Sequence, residues 1–335
     1  MLRILHGTNY DFIKFWRVMV AITIAFIALG VGLVGLRLAG GRAPVNYSIE
    51  FTGGTLMQVQ FAQPPQGDEL RAVISAAGFS SAEIQQFGSP LEYTVRVRLE
   101  GQQETAATTD SARTQIQRAL KAKYGNDGVT VRRGEFVGPR VGDELRRNAI
   151  IAILISFAVT LIYLAVRFEW RFGVAAVAAT AHDTITTIAF ITVMHLEVSL
   201  TVVAAILTVI GYSLNDTIII FDRVRENLRK QRRESLRDVL NRSINETLPR
   251  SIMTHATTLA ATVALLLFAG EVIRPFSWVM TFGIFTGTFS SVYVAGALLL
   301  YIEYRWPRSD GENKGTSRAL AEDRKKKEAD SVAAR

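Results

Sequence analysis

The sequence has no cysteine in its 335 residues, which excludes disulfide bonds and metal sites with thiolate ligands. It also lacks a phosphate-binding loop, a cluster of metal ligands and a nucleophile placed beside a base. These absences argue against an enzyme, and we expect neither a cofactor nor a metal.

Basic residues outnumber acidic ones by 38 to 30, which gives a formal net charge of +8. Such an excess can attract nucleic acid, but here it is concentrated in short loops and chain ends beside long apolar runs. That placement is typical of the cytoplasmic loops of membrane proteins. We therefore expect membrane lipid around the chain and no nucleic acid partner.

Six apolar runs are each close to the roughly 20 residues that cross a bilayer core. A signal peptide is the rival interpretation of segment 1–39, but its apolar run is too long for a typical h-region. Six spans leave both ends on one side, and the basic loops assign that side to the cytoplasm. The first predicted span is 18–36, and the membrane part 148–304 contains the spans 148–166, 172–194, 200–221, 250–269 and 276–302. We expect the cytoplasmic loop at 223–248 to form a pair of interfacial helices. We expect the tail at 305–335 to be disordered.

Segment 40–147 is polar, with nearly balanced charges, and we expect it to be an external domain. Its periodicity predicts the order βαββαβ, which is the order of a ferredoxin-like sandwich. The fold class is therefore a polytopic α-helical membrane protein with six transmembrane helices and one external α+β ferredoxin-like domain. The predicted strands are 56–61, 82–87, 93–99 and 129–137, and the predicted helices are 68–77 and 104–124.

An acidic residue inside a predicted span is the strongest sign of function. Asn215 and Asp216 lie seven and six residues before Asp222, which begins a charged pair, so Asp216 is about 10 Å inside the membrane. A carboxylate there costs about 2.5–3.5 kcal/mol and needs a partner, water or a proton. The alternative is a helix-packing residue or the edge of a shorter span.

Three further sets of residues are candidates. His182 and Asp183 lie within the third predicted span, about 100° apart on a helix. The pair is either part of a proton relay or a structural hydrogen bond. Gly53 and Gly54 permit positive φ where the first span meets the domain, as a turn or hinge. Gly138 and Pro139 are the matching joint before the second span.

Six short motifs occur together in the chain: FTGGT at 51–55, EFVGP at 135–139, AHD at 181–183, GYSLNDT at 211–217, PR at 249–250 and GTFSS at 287–291. In combination they closely resemble the SecD/SecF family of protein-export membrane proteins, within the resistance-nodulation-division superfamily. The resemblance covers residues from about 10 to 304.

The resemblance implies a subunit that uses the proton motive force to assist late steps of Sec-dependent protein translocation across the bacterial inner membrane. It implies a periplasmic position for domain 40–147. The implied partners are a SecD-like subunit in a heterodimer, the SecYEG channel, YajC as a further candidate, and the preprotein substrate.

The resemblance also implies roles for single residues. Asp216 matches the intramembrane aspartate that carries protons, and Arg250 matches the basic residue that communicates with it. The sequence departs from the family pattern in two places: Glu50 stands where Asp is common, and His255 and Ala256 stand where Ser and Gly are common. Because histidine titrates near neutrality, His255 is a candidate extra member of the relay.

Two other functions remain open. One is an exporter of small molecules or ions from the same superfamily, although such proteins usually carry two membrane halves in one chain. The other is a scaffold of the translocon that uses no energy, which the costly buried acid at position 216 argues against.

Overall fold

The structure is a computed structural model, and it describes residues 8–41, 43–80, 82–97, 106–230, 234–270 and 272–306. Nearly all of the predicted tail, 305–335, lies outside these ranges. The elements in chain order are α1 (Trp16–Ala39), β1 (Asn46–Tyr47), α2 (Ile49–Thr52), β2 (Gly54–Phe61), α3 (Gly67–Ala76), β3 (Glu83–Gln86), β4 (Glu92–Val97), α4 (Ala106–Tyr124), β5 (Val129–Val137), α5 (Pro139–Arg167), α6 (Trp170–Val193), β6 (Glu197–Val198), α7 (Leu200–Lys230), α8 (Leu236–Phe268), α9 (Arg274–Ser290), a π-helical turn (Ser291–Ala295) and α10 (Gly296–Arg305).

Six helical segments in the described residues are long and apolar enough to cross a membrane, which confirms the predicted number of spans. They are α1, α5, α6, α7, α8 and the continuous run from α9 to α10. The helices α6, α7 and α9 form the buried centre, whereas α1, α5 and α8 leave most of their apolar side chains exposed. Exposed apolar surface of this extent on long helices suits contact with lipid.

The helices α7 and α8 are longer than the sequence predicted, and the predicted pair of interfacial helices at 223–248 is wrong. Helix α7 continues to Lys230 and α8 already begins at Leu236, so Pro249 lies inside a helix and opens none. The apolar residues of this segment were assigned to a lipid surface, but Val224, Val239 and Leu240 are buried in the protein core. Packing against the bundle therefore extends both helices beyond the apolar runs that the sequence predicts as spans.

The second predicted span also belongs to a longer helix. Helix α5 begins at Pro139, directly after β5, and runs without a break to Arg167. Proline suits the first turn of a helix, where its missing N–H has no partner to lose. The domain and the membrane are thus joined by one continuous helix.

The external domain has the predicted βαββαβ order, with an antiparallel sheet of order β3-β4-β2-β5. This order confirms the ferredoxin-like α+β domain. One face of the sheet buries Met57, Val59 and Val95 against Leu70 and Ile74 of α3 and Ile116 and Leu120 of α4.

A second, two-stranded sheet was not predicted. It pairs β1, near the start of the external domain, in parallel with β6 in the connection between α6 and α7. Strands of two residues give no periodicity, so no sequence pattern could reveal them.

Glycine allows the central helices to approach closely. A Cβ atom on Gly283 of α9 would lie 2.3 Å from a methyl carbon of Val209 in α7. By contrast, a Cβ atom on Gly211 would meet nothing within 4 Å. Of these two glycines, Gly283 is the one that close helix packing requires.

Candidate functional site

The carboxyl group of Asp216 lies at the centre of the bundle and is only half satisfied. Its residue is 3% exposed, and the Ser251 hydroxyl of α8 donates a hydrogen bond of 2.5 Å to its Oδ1. The second oxygen, Oδ2, is buried and has no hydrogen-bond partner among the described residues. One oxygen is therefore held in place, while the other is left without a partner and can accept a proton.

His255 stands one helical turn after Ser251 and is also buried. Its Nδ1 lies 2.5 Å from the Ser251 carbonyl oxygen, so Nδ1 carries the proton in a neutral ring and donates it. Its Nε2 is buried without a partner in the described part of the chain. Ser251 thus contacts both titratable groups, one through its hydroxyl and the other through its carbonyl.

The predicted residues Asn215 and Arg250 lie on the outside of the bundle instead. Both side chains are exposed, and neither forms an ion pair or hydrogen bond with Asp216 in the residues that the structure covers. The charge of Arg250 acts on Asp216 only through space. The structure therefore brings Asp216 and His255 together and leaves Asn215 and Arg250 facing outward at the same depth.

Asp183 is a second buried carboxylate, and both of its oxygens are hydrogen-bonded. The hydroxyls of Ser213 in α7 and Ser290 in α9 both donate to Oδ2, the latter at 2.7 Å. The ring nitrogen Nδ1 of His182 lies 3.0 Å from Oδ1. Asp183 therefore links three central helices, and the adjacent His182 bends back to reach it.

A π-helical turn aligns two neighbouring serines with different partners. Ser290 ends α9 and reaches Asp183, while Ser291 begins the turn and its hydroxyl lies 2.9 Å from that of Thr217 in α7. Single π turns inside α-helices are frequent at functional sites. Together, the contacts of Asp183 and of Ser291 form a group of polar interactions among α6, α7 and the end of α9 at the bundle centre.

The hydroxyl partners of the two acids were not identified as site residues from the sequence. Ser213 and Ser290 lie within the motifs GYSLNDT and GTFSS, whereas the only signal for Ser251 was a hydroxyl residue on an otherwise apolar helix, four residues before His255. That signal is weak, because helical serines and threonines usually bond to their own backbone.

The two predicted joints of the external domain lie against each other. Gly53 and Gly54 have φ of +69° and +114°, a region that favours glycine. Gly138 has an ordinary extended conformation before Pro139 and requires no glycine freedom. A Cβ atom on Gly142 of α5 would lie 2.9 Å from the Gly53 nitrogen, so α5 and α2 are in close contact. Movement at these joints stays a prediction.

Comparison with known proteins places these features in a family. A profile described as "Protein export membrane protein SecD/SecF, C-terminal" matches residues 116–305, and one described as "SecD/SecF GG Motif" matches residues 40–65. The chain is 58% identical to the protein translocase subunit SecF of Gemmatimonas aurantiaca over 96% of this chain and 94% of that one. It is 42% identical to the corresponding subunit of Vibrio alginolyticus over 76% of this chain and 80% of that one.

Among solved structures, the crystal structure of SecDF from Thermus thermophilus, described as a translocon-associated membrane protein, matches with a TM-score of 0.77 and 36% identity. The match covers 90% of this chain but only 39% of that one, so the present chain spans well under half of the solved protein. These matches extend over most of the membrane helices and the external domain. The chain therefore belongs to the SecD/SecF family of protein-export membrane proteins.

Proposed function

We propose that this chain is the SecF-type subunit of a SecDF accessory complex and uses the proton motive force to assist late steps of Sec-dependent protein translocation across the bacterial inner membrane. In this proposal it is an accessory subunit of the translocase and not an enzyme. The single observation that carries the proposal is the buried carboxyl of Asp216, anchored at one oxygen and open at the other.

Proton exchange at Asp216 gives the membrane domain a way to convert potential into movement. An ionised carboxylate in the bundle favours solvated or cationic neighbours, whereas the neutral acid tolerates apolar packing. The available drive is about 2.3 kcal/mol per charge per 100 mV, which is enough to shift the balance between two packings of α7 against α8. The exposed Arg250 supplies a positive charge whose approach or withdrawal would favour one state.

A second membrane half is the partner that the exposed face of α7 favours. Small and polar residues follow one another on this face at helical spacing, and lipid is a poor environment for them. Arg250 lies exposed on the neighbouring helix α8. We assign this surface to a SecD-like subunit, with SecYEG, YajC and the preprotein as further partners. Between positions 201 and 215, the exposed residues of α7 are Thr201, Ala204, Thr208, Gly211 and Asn215.

The distribution of basic residues supports an orientation with both termini in the cytoplasm. Arg167 pairs with Asp222 at 2.7 Å and Arg171 with Glu303 at 3.4 Å, at the end of the bundle opposite the external domain. Arginines at this end suit the positive-inside rule. The external domain then lies in the periplasm, where an emerging preprotein would meet it.

The experiment that tests the proposal is the replacement of Asp216 by Asn, which keeps the volume of the side chain and its hydrogen bond from Ser251 but cannot exchange a proton. We expect Asp216→Asn to insert and to copurify with its partner in mild detergent. In membrane vesicles at matched abundance, it should lose the dependence of preprotein export on the membrane potential.

The matched control is Asp222→Asn, an equal change in the same helix at the water line, where the carboxylate is 39% exposed. This control should keep the potential dependence of the wild type. If Asp216→Asn also kept that dependence, the proton-carrier role would be refuted and a scaffold would remain as the function.

A further inference from the structure

Helix α7, which carries Asp216, does not adjoin the external domain in the chain, because the helices before and after it are α6 and α8. The structure nevertheless ties its outer end to that domain through several contacts. Glu50, in the short helix α2 at the base of the domain, accepts a 2.6 Å hydrogen bond from the backbone N–H of Leu200, the first residue of α7. The same carboxylate oxygen accepts a 3.3 Å hydrogen bond from the Ser48 hydroxyl.

The Glu50 contact is a charged helix cap. The first N–H groups of a helix have no partner within the helix, and a carboxylate there gains from both the hydrogen bond and the helix dipole. Ser199 caps α7 locally, because its hydroxyl accepts a hydrogen bond from the N–H of Val202 at 3.3 Å. Glu50 is therefore not needed to begin the helix. Its distinctive effect is to hold a membrane helix to the base of another domain.

Backbone pairing and an arginine reinforce this junction. The N–H of Ser48 donates to the carbonyl of Val198 at 2.9 Å, in line with the parallel pairing of β1 and β6. Arg96, on β4 of the main sheet, donates to the carbonyl of Tyr47 at 3.1 Å and pairs with Glu197. The sheet of the domain is thus bound to both strands of the small sheet.

The turn that leads into β6 is held from the same side. Its residue His195 has φ of +52°, an uncommon conformation for a residue with a side chain. The side chain of Asn46 donates to the His195 carbonyl at 3.0 Å and accepts a 2.5 Å hydrogen bond from Arg37 at the end of α1. The junction therefore collects contacts from α1, α2, the main sheet and the start of α7.

We propose that Glu50 is a positioning residue that couples α7 to the external domain, so that displacement of α7 during proton exchange at Asp216 moves that domain. This inference rests on the proposed function. Asp216 lies 16 residues after Leu200, about 24 Å along a continuous helix. A helix of this length transmits a shift or tilt from the membrane centre to its capped end, and the junction passes it to the sheet.

The test compares two activities of the complex of the chain with its partner in liposomes and in membrane vesicles. One activity is proton uptake in response to an imposed potential, and the other is potential-dependent preprotein export. Glu50→Ala removes the cap and should keep proton uptake while reducing export about tenfold, which is in the range for a lost charged cap. Glu50→Gln keeps an acceptor for the Leu200 N–H and should recover much of the export.

The control for Glu50 is Glu69→Ala, in the same domain but away from the junction, where it breaks an exposed ion pair of 2.7 Å with Lys123. It should leave both activities unchanged. Glu50 would have a merely structural role if Glu50→Ala lost proton uptake and export together, and no role in coupling if export stayed at the wild-type level. Asp216→Asn measured in parallel separates this outcome from failure of the proposed function, since that variant should lose proton uptake itself.

A reversible disulfide between β1 and β6 tests whether a replacement link restores export in the Glu50→Ala variant. Because the natural chain has no cysteine, Tyr47→Cys with Val198→Cys creates a unique pair at directly paired positions of β1 and β6. In the Glu50→Ala background, the oxidised pair, verified by loss of thiol labelling, should restore export, and reduction should remove it again. A verified disulfide that leaves export impaired would overturn the proposal.

Discussion

At the scale of single residues, the two buried carboxylates of the bundle differ in their hydrogen bonding. Asp183 receives hydroxyl donors from two other helices and contacts His182, so neither of its oxygens is open. Asp216 receives one donor and keeps one oxygen free of partners among the described residues. On this difference we propose a linking role for Asp183 and proton exchange for Asp216.

Replacing Asp183 by Asn tests this division of roles. The amide keeps one oxygen for Ser213, and Ser290 can turn its hydroxyl to the Gly287 carbonyl, which already lies 3.1 Å away. We expect Asp183→Asn to lower the free energy of unfolding by about 1–3 kcal/mol through the weakened hydrogen bonds. Thermal unfolding in detergent measures this loss. At matched abundance the variant should keep potential-dependent export, and a stable variant without that dependence would place Asp183 in the relay.

The sequence could identify the charged members of the site but not their partners. Asp216, Asp183 and His182 stand out because ionisable residues are rare in membrane helices. Ser251 does not stand out, because serine side chains fit apolar helices by bonding to the backbone, and the motifs that contain Ser213 and Ser290 do not show which group either hydroxyl meets. Which acid each hydroxyl meets depends on how α7, α8 and α9 pack, and that is a property of the tertiary structure.

At the scale of helices and strands, the apolar runs predicted six spanning helices but underestimated their length. Helix ends that leave the bilayer carry charged residues, and their apolar face is too narrow to be read as a membrane span. The extensions of α7 and α8 are stabilised by polar contacts that no local pattern reveals, such as the 2.8 Å hydrogen bond from Asn227 to Glu246. Length and composition therefore give the number of helices, and packing gives their ends.

Substitutions at two glycines distinguish the packing of helices inside the bundle from the outer surface of the bundle. Gly283→Leu places a side chain where α9 meets Val209 of α7, and we expect it to lower the free energy of unfolding by about 1–3 kcal/mol or more. Gly211→Leu enters open space on the exposed face of α7 and should leave the isolated chain stable.

The same pair tests the partner surface. If a second membrane half covers the exposed face of α7, Gly211→Leu should reduce copurification of the partner in mild detergent while thermal unfolding of the isolated chain stays unchanged. The same substitution at Gly32, an exposed glycine of α1 with open space around it, is the control. Equal copurification from Gly211→Leu and Gly32→Leu would place the partner on another face.

At the scale of the whole molecule, the sequence predicted an external α+β domain and a membrane bundle, and the structure has both. The contact between them was not predictable, because it depends on two strands of two residues each and on single side chains far apart in the chain, such as Arg96 and Glu197. The sequence also did not show that Asn215 and Arg250 face outward, on a surface that the described part of this chain leaves uncovered.

The orientation of the molecule predicts the outcome of a reporter experiment. A reporter fused at Gln102 should be external, and reporters at Gln231 and Lys314 should be cytoplasmic, because the short loops and the tail carry the excess of basic residues. All three positions lie outside the described residues. Enzymatic reporters that are active on only one side of the membrane measure this, and a cytoplasmic signal at Gln102 would reverse the topology.

The most direct test of the account is the movement of protons through Asp216. The chain and its partner are reconstituted in liposomes that contain a pH-sensitive dye, and proton uptake is recorded after a membrane potential is imposed. We expect uptake by the wild type and by Asp222→Asn, and only the background of empty liposomes from Asp216→Asn. Uptake by Asp216→Asn at the wild-type rate would contradict the account.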